Sequence, residues 1–179
     1  YARWTVKYYT LTWNFAGGTA SGDYTKGSVP YGASIIPPVP TRKGYDFAGW
    51  DKPVVSTMPA EELTYTAKWT PKTYTVMLMP NGGTINSGNV TQYTYGVGAV
   101  LPTDVTRDGY TFDGWYEYES GPRVYSISTT DLEDKTYTAR WSANKYKITY
   151  HNMDGAVNHP NNLDRYTYGV GLTLGNPTK

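Results

Sequence analysis

Apolar and polar positions alternate along this chain in a pattern that keeps returning. Tyr9, Leu11, Trp13 and Phe15 face one way, with Thr10, Thr12 and Asn14 between them. A two-residue period of this kind marks a half-buried strand. The same spacing recurs at Tyr74, Val76 and Leu78, and at Tyr146, Ile148 and Tyr150. Each run ends in a turn signal: Ala16-Gly17-Gly18, Asn81-Gly82-Gly83 or Asp154-Gly155. Positive-φ residues of a tight hairpin turn are expected there. A second strand then leads into Tyr31-Gly32, Tyr95-Gly96 or Tyr168-Gly169, followed by a proline-containing connector such as Ile36-Pro37-Pro38-Val39-Pro40 or Leu101-Pro102. Next, Gly44-Tyr45-Asp46-Phe47-Ala48-Gly49-Trp50 is matched by Gly109-Tyr110-Thr111-Phe112-Asp113-Gly114-Trp115. Its Tyr and Phe share one strand face, and the glycine before the tryptophan predicts a bulge that re-aims the indole. The closing strand places Tyr65, Ala67 and Trp69 inward, with Thr66 and Lys68 outward.

These segments are copies of one unit. Ala-(Lys/Arg)-Trp ends at Trp4, Trp69 and Trp141, at spacings of 65 (69 − 4 = 65) and 72 (141 − 69 = 72) residues. A tyrosine follows each of these tryptophans by five positions and a glycine (Gly18, Gly83, Gly155) by fourteen. The expected organisation is the end of a preceding repeat at 1–4, complete repeats at 5–69 and 70–141, and an incomplete third repeat at 142–179. The third copy stops at Pro177-Thr178-Lys179, where the first has Pro40-Thr41-Arg42. The chain is therefore expected to be a stretch of a longer tandem array. The fold class expected is mainly β, small α+β modules with little helix. Helix is limited to single turns at Met58-Pro59-Ala60-Glu61-Glu62-Leu63 and across 128–134, with proline or carboxylates early in each. Trp4, Trp50, Trp69, Trp115 and Trp141 are expected in the core.

Composition agrees with small β modules. The 179 residues hold 19 Tyr and 6 Trp but only 3 Phe, too much buriable surface for a disordered chain. Such modules bury only about 60% of their unfolded surface, so each large aromatic matters to the core. Cysteine is absent, which removes disulfides, thiolate metal sites and a cysteine nucleophile. With 16 Lys+Arg against 15 Asp+Glu, nothing marks a nucleic-acid surface. No apolar run approaches the roughly 18 residues of a membrane-spanning helix.

Catalytic chemistry finds little support. The histidines, His151 and His159, lack metal-ligand spacing and have no counterpart in the other copies, so they read as surface residues. Asp131, Glu133 and Asp134 lack the ligand spacing of a calcium loop and read as a solvated turn. No nucleophile elbow or phosphate loop is present. The expectation is no enzyme, no catalytic residue, no cofactor and no metal.

One irregularity stands out. Nineteen residues separate Trp50 from Trp69 (69 − 50 = 19), but 26 separate Trp115 from Trp141 (141 − 115 = 26). The seven extra residues fall within 116–125, which alternates around Ser120-Gly121-Pro122 and predicts a longer hairpin. Tyr116, Tyr118 and Tyr125 are candidates for stacking on a sugar or docking a protein, with Arg123 adding specificity. The plainer reading is a loop that covers the core.

The Tyr-x-(Val/Leu/Ile) strand, Asn-Gly-Gly-Thr turn, Tyr-Gly pair, Pro-Thr-Arg-x-Gly-Tyr-x-Phe-x-Gly-Trp segment and closing Tyr-x-Ala-(Lys/Arg)-Trp resemble the Listeria–Bacteroides repeat, or internalin-type B-repeat. Met58-Pro59-Ala60-Glu61 is similar to that family as well, and Met153-Asp154-Gly155-Ala156 in the third copy departs from it. The resemblance implies β-grasp-like modules in tandem on secreted or cell-surface bacterial proteins, serving as stalk, spacer or auxiliary adhesive element without catalysis. In such a unit the first and last strands lie side by side. Partners implied are glycans or proteins of a host or neighbouring cell, with no nucleic acid and no membrane insertion in this stretch. The alternative is an adhesin module that binds glycan or protein directly through the 116–125 hairpin.

Overall fold

The computed structural model describes residues 1–22, 26–151 and 154–179, with the backbone alone for Lys26. Met153, the first residue of the Met153-Asp154-Gly155-Ala156 segment, lies outside the described residues. The chain divides into two compact units, one of residues 1–74, 94–97 and 129–132, the other of 75–93, 98–128 and 133–179.

In the first unit, β1 (Tyr8–Asn14), β2 (Lys26–Pro30), β3 (Tyr45–Trp50) and β4 (Leu63–Pro71) form one sheet in the order β2-β1-β4-β3. β1 and β2 pair antiparallel, with Tyr9 opposite Val29 and Leu11 opposite Gly27, but their ladder ends at Thr12 opposite Lys26. The turn at Phe15–Gly18 is therefore not a tight hairpin between them and leads instead to Thr19, which bridges Thr41. β1 and β4 run parallel down the middle, pairing Leu11 with Leu63 and Trp13 with Tyr65. Leu11, Trp13, Ile35, Met58, Leu63 and Tyr65 form the core, with Tyr9, Phe15 and Trp50 packed against it. Trp13 stacks on Tyr65 at 4.9 Å and meets Trp50 at 4.6 Å. The face assigned by alternation is thus the buried one.

The second unit repeats this plan with more, shorter pieces. β5 (Thr73–Met79) takes the place of β1. The short strands β6 (Thr84–Ile85), β7 (Gln92–Thr94), β8 (Ala99–Val100) and β9 (Val105–Thr106) lead to β10 (Tyr110–Tyr116). The inserted hairpin supplies β11 (Arg123–Val124), β12 (Ser126–Ile127) follows it and pairs with β8, and β13 (Lys135–Ala143) closes the repeat. The main sheet runs β11-β10-β13-β5-β7. β13 and β5 are parallel, Val76 opposite Lys135 and Leu78 opposite Tyr137. Trp115, Tyr93, Tyr137, Val76 and Ala139 are buried, and the Trp115 indole N–H donates to the Pro102 carbonyl at 2.7 Å. The third copy contributes β14 (Lys145–Lys147) and β15 (Arg165–Thr167), an antiparallel pair in the same unit.

Both predicted bulges form. Strand register shifts between Phe47 and Trp50 and between Phe112 and Gly114, with Gly49 at φ +96 and Gly114 at φ +130. Three expectations change. The residues at 58–62 and 128–134 make bends, turns and irregular backbone, Leu63 opens β4, and the described residues contain no helix. Trp4 is 92% exposed rather than buried, because the strands its counterparts pack on within their own repeats are not in this sequence. The turn signals hold positive φ as expected, at Ala16-Gly17, Asn81-Gly82 and Asp154-Gly155, but the spaced glycines Gly18 and Gly83 follow those residues whereas Gly155 is one of them. Asp154-Gly155 therefore matches Ala16-Gly17. Ala156, not Gly155, is the counterpart of Gly18, as the equivalent bridges Thr19 to Thr41 and Val157 to Thr178 confirm.

Candidate functional site

The 116–125 hairpin is present, with β10 and β11 pairing Tyr116 with Arg123 and Trp115 with Val124. Its four candidate residues do not share one environment. Tyr118 and Tyr125 are 70% and 64% exposed. Tyr116 is half-buried, and the Arg140 guanidinium covers its ring at 3.8 Å. Such a cation–π contact uses the face that a sugar would need. Arg140 also donates to the carbonyls of Tyr118, at 2.7 Å, and of Glu119. Arg123 lies over the Tyr125 ring at 4.8 Å, and its side chain runs past Gly114, where a Cβ would meet it. Exposed aromatic surface in the hairpin thus reduces to Tyr118, two residues past β10, and Tyr125, between β11 and β12, each beside an arginine contact. A groove of about 320 Å³ lined by Asn81, Tyr116–Glu119 and Thr138–Arg140 borders the hairpin.

Beneath the hairpin sits Lys135, nearly buried, with its ammonium 2.7 Å from Glu133 and 3.5 Å from Glu117. Asp134 accepts the Thr75 backbone N–H at 2.7 Å, and hydrogen bonding to Thr75 holds its carboxyl below the usual carboxylate range. His159 Nδ1 accepts the Asn161 N–H at 3.2 Å. Among the described residues no cluster of three or more His, Asp or Glu is arranged to hold a metal ion. No described helix is long and apolar enough to cross a membrane.

The model of the Listeria–Bacteroides repeat domain matches the chain twice, over residues 9–70 and 74–140. The chain belongs to this family. A putative Gly-rich membrane protein and a putative membrane protein of Evansella cellulosilytica are 28% and 27% identical to it, over 87% and 84% of the chain. Internalin H of Listeria monocytogenes is 34% identical over 57% of the chain. The chain spans only 19%, 23% and 20% of these three relatives. No solved structure matches the chain significantly.

These Listeria–Bacteroides repeats contain a second structured feature that sequence reading passes over. Gly44 and Gly109 adopt φ +77 and +75 at the corner before β3 and β10. A Cβ at either would collide with a tyrosine ring, Tyr95 against Gly44 and Tyr168 against Gly109. Each incoming ring also meets the corner tyrosine edge-on, Tyr95 with Tyr45 and Tyr168 with Tyr110, both at 5.5 Å and 78°. Behind the corner tyrosine lies an arginine, Arg42 or Arg107, with its guanidinium 4.0 Å from the ring centre in both. The corner carbonyls accept backbone N–H bonds, Gly44 from Lys72 and Gly109 from Asn144, both at 2.9 Å. The signal was visible in sequence as the Tyr-Gly and Arg-x-Gly-Tyr motifs, and in the second copy Arg107-Asp108-Gly109-Tyr110. Their pairing was not, because the partners lie far apart along the chain.

Proposed function

We propose that this stretch is a load-bearing spacer of a bacterial cell-surface or secreted protein, with an auxiliary adhesive role and no catalysis. The parallel pairing of first and last strands, β1 with β4 and β5 with β13, is the observation that supports it. Tension applied at the two ends of a repeat acts along opposite ends of such a pair. It loads several ladder hydrogen bonds in shear instead of opening them one at a time. Only Lys72 separates β4 from β5, and only Asn144 separates β13 from β14, so little slack chain takes up load between repeats. Membership of the Listeria–Bacteroides family and the names of its membrane-protein and internalin relatives favour the surface location.

Single-molecule stretching of the chain tests this reading. Each complete repeat is expected to give one unfolding peak, with released length on the order of 200–250 Å at roughly 3.5 Å per residue. Featureless extension at low force would remove the mechanical role.

A second reading is direct binding of a glycan or protein of a host or neighbouring cell, favoured by the exposure of Tyr118 and Tyr125. Binding on a glycan array or to a cell-surface extract should then disappear with Tyr118→Ala and Tyr125→Ala. Binding that survives both substitutions would dismiss the hairpin.

A further inference from the structure

The Tyr-Gly turn occurs three times, and in two of them its tyrosine is seated in a glycine corner. The backbone around it is the same in all three. Tyr31, Tyr95 and Tyr168 donate their N–H to Lys7, Lys72 and Asn144 at 2.9, 2.9 and 2.8 Å. Gly32, Gly96 and Gly169 all adopt positive φ, +78, +86 and +72. The surroundings then diverge. A Cβ at Gly96 or Gly169 would lie 3.7 Å from the hydroxyl of Tyr45 or Tyr110, whereas one at Gly32 would meet nothing within 4 Å. Tyr95 is half-buried and Tyr168 is 40% exposed, but Tyr31 is 61% exposed. Beside Tyr31, a concavity of about 400 Å³ is lined by Thr5, Val6, Lys7, Tyr9 and Ala60.

We propose that the Tyr31–Gly32 turn is an unfilled docking surface whose partner is the Arg-x-Gly-Tyr corner of another Listeria–Bacteroides repeat. The two filled copies define what that partner must offer. It needs a glycine, because the tyrosine ring lies where any Cβ would project. It needs a free carbonyl on that glycine, because Lys72 and Asn144, the counterparts of Lys7, donate to it. It needs an aromatic edge beside the glycine, backed by an arginine that holds the corner ring in place. A loop with any other residue at the glycine position would clash with the ring, so the surface selects repeats of its own kind. The corners at Gly44 and Gly109 are occupied by Tyr95 and Tyr168, so the partner is a repeat additional to those described. This goes beyond the spacer reading and does not depend on it.

The test extends the whole chain by one repeat, fusing a second copy of residues 5–66 with its own Tyr31→Phe ahead of Ala2, so that the appended Gly44 precedes the one remaining Tyr31. Tyrosine nitration, read residue by residue by mass spectrometry, is compared in the original and extended chains. In the original, Tyr31 should react faster than Tyr95. In the extended chain, Tyr31 should slow to the rate of Tyr95 in the same molecule, and the Lys7 amide should gain the exchange protection of Lys72. Gly44→Ala in the appended copy alone should restore the fast rate. Tyr31 that keeps its original reactivity in the extended chain, with Lys7 unprotected, overturns the proposal whatever the state of the appended copy. So does a Tyr95 as reactive as Tyr31 in the original chain.

Discussion

Gly18 and Trp69 claim the same space. A Cβ on residue 18 would fall against the six-membered ring of the Trp69 indole and 2.9 Å from the Thr41 carbonyl. The two residues also share an acceptor, since the Gly18 N–H and the Trp69 indole N–H both donate to the Phe15 carbonyl at 2.9 Å. A carbonyl oxygen has two lone pairs, and here both are used. Gly83 and Trp141 repeat the arrangement around the Pro80 carbonyl, at 3.0 Å for each bond. Gly18→Ala or Gly83→Ala should displace its tryptophan and lose the indole bond, costing about 2–3 kcal/mol. Trp69→Phe keeps most of the packing and should cost less. Denaturant unfolding followed by tryptophan fluorescence measures both, and an unchanged midpoint for Gly83→Ala would refute the steric account.

That glycine shows what was and was not legible beforehand. Its recurrence fourteen residues after each tryptophan gave away the repeat, and the local alternation gave the buried face from Tyr9 to Phe15. Both are properties of adjacent residues. The reason for that glycine is not local: positive φ belongs to Ala16 and Gly17, while Gly18 is small for the sake of a ring 51 positions away (69 − 18 = 51). The same blindness placed Gly155 one position out of register and hid Ala156. At the candidate site, the hairpin and its aromatics could be read from the length difference between copies. That Arg140 would cover Tyr116 could not, since nothing local links a closing-strand arginine to that ring. The parallel pairing of β1 with β4 was expected only through the family resemblance, as strands some fifty residues apart leave no mark of their partner in the intervening sequence.

Lys135 stands where the first repeat has Leu63. Both open their closing strand, Leu63 opposite Leu11 and Lys135 opposite Val76. The ammonium is tolerated because the inserted hairpin brings Glu117 over it and Glu133 lies two residues away. Glu117 and Glu133 are 31% and 71% exposed, so removing the ammonium leaves neither carboxylate buried without solvent, while a hydrocarbon of similar volume fills the near-buried site. Lys135→Leu should therefore leave stability unchanged or raise it by up to about 2 kcal/mol. Removing both carboxylates while keeping Lys135 should cost about 2 kcal/mol, less than a fully buried pair because Glu133 itself is exposed. Chemical denaturation of the two variants distinguishes the signs, and a strongly destabilised Lys135→Leu would show that the pair is structurally required.

Arg140 holds the inserted hairpin to the sheet. It bonds two carbonyls, those of Tyr118 and Glu119, and stacks on Tyr116. A lysine has neither the planar fork for both carbonyls nor the same stacking surface. Arg140→Lys should lower stability by about 1 kcal/mol, with loss of amide-exchange protection concentrated at 117–121. The first repeat has Lys68 at this position and no inserted hairpin to hold. Lys68→Arg should therefore have no measurable effect. Unaltered exchange at 117–121 in Arg140→Lys would mean that the hairpin is held by its own strand pairing.

Two exposed carboxylates each make an acid-sensitive contribution to the second unit. Asp104 accepts from Asn86 Nδ2 at 3.0 Å and from Ser87 Oγ at 2.8 Å, and Asp134 accepts from the Thr75 N–H. Bonds to Asn86 and then Ser87 lower the Asp104 pKa beneath the ordinary 3.8, and bonds to Thr75 do the same for Asp134. A carboxyl whose folded pKa is depressed stabilises the fold at every pH above its unfolded value, and that contribution disappears as pH falls through the folded one. Stability should therefore be flat with respect to these groups above about pH 5 and decline below about pH 4. Asp104→Asn and Asp134→Asn should each be somewhat less stable at neutral pH but should lose less on acidification, so their unfolding curves approach that of the parent as pH drops. Both groups are open to solvent, so high salt should leave the hydrogen-bonded component largely in place while screening longer-range charge effects. Carboxyl-carbon NMR titration checks the premise directly: a midpoint at or above 3.8 for either aspartate would show that its hydrogen bonds do not persist in solution.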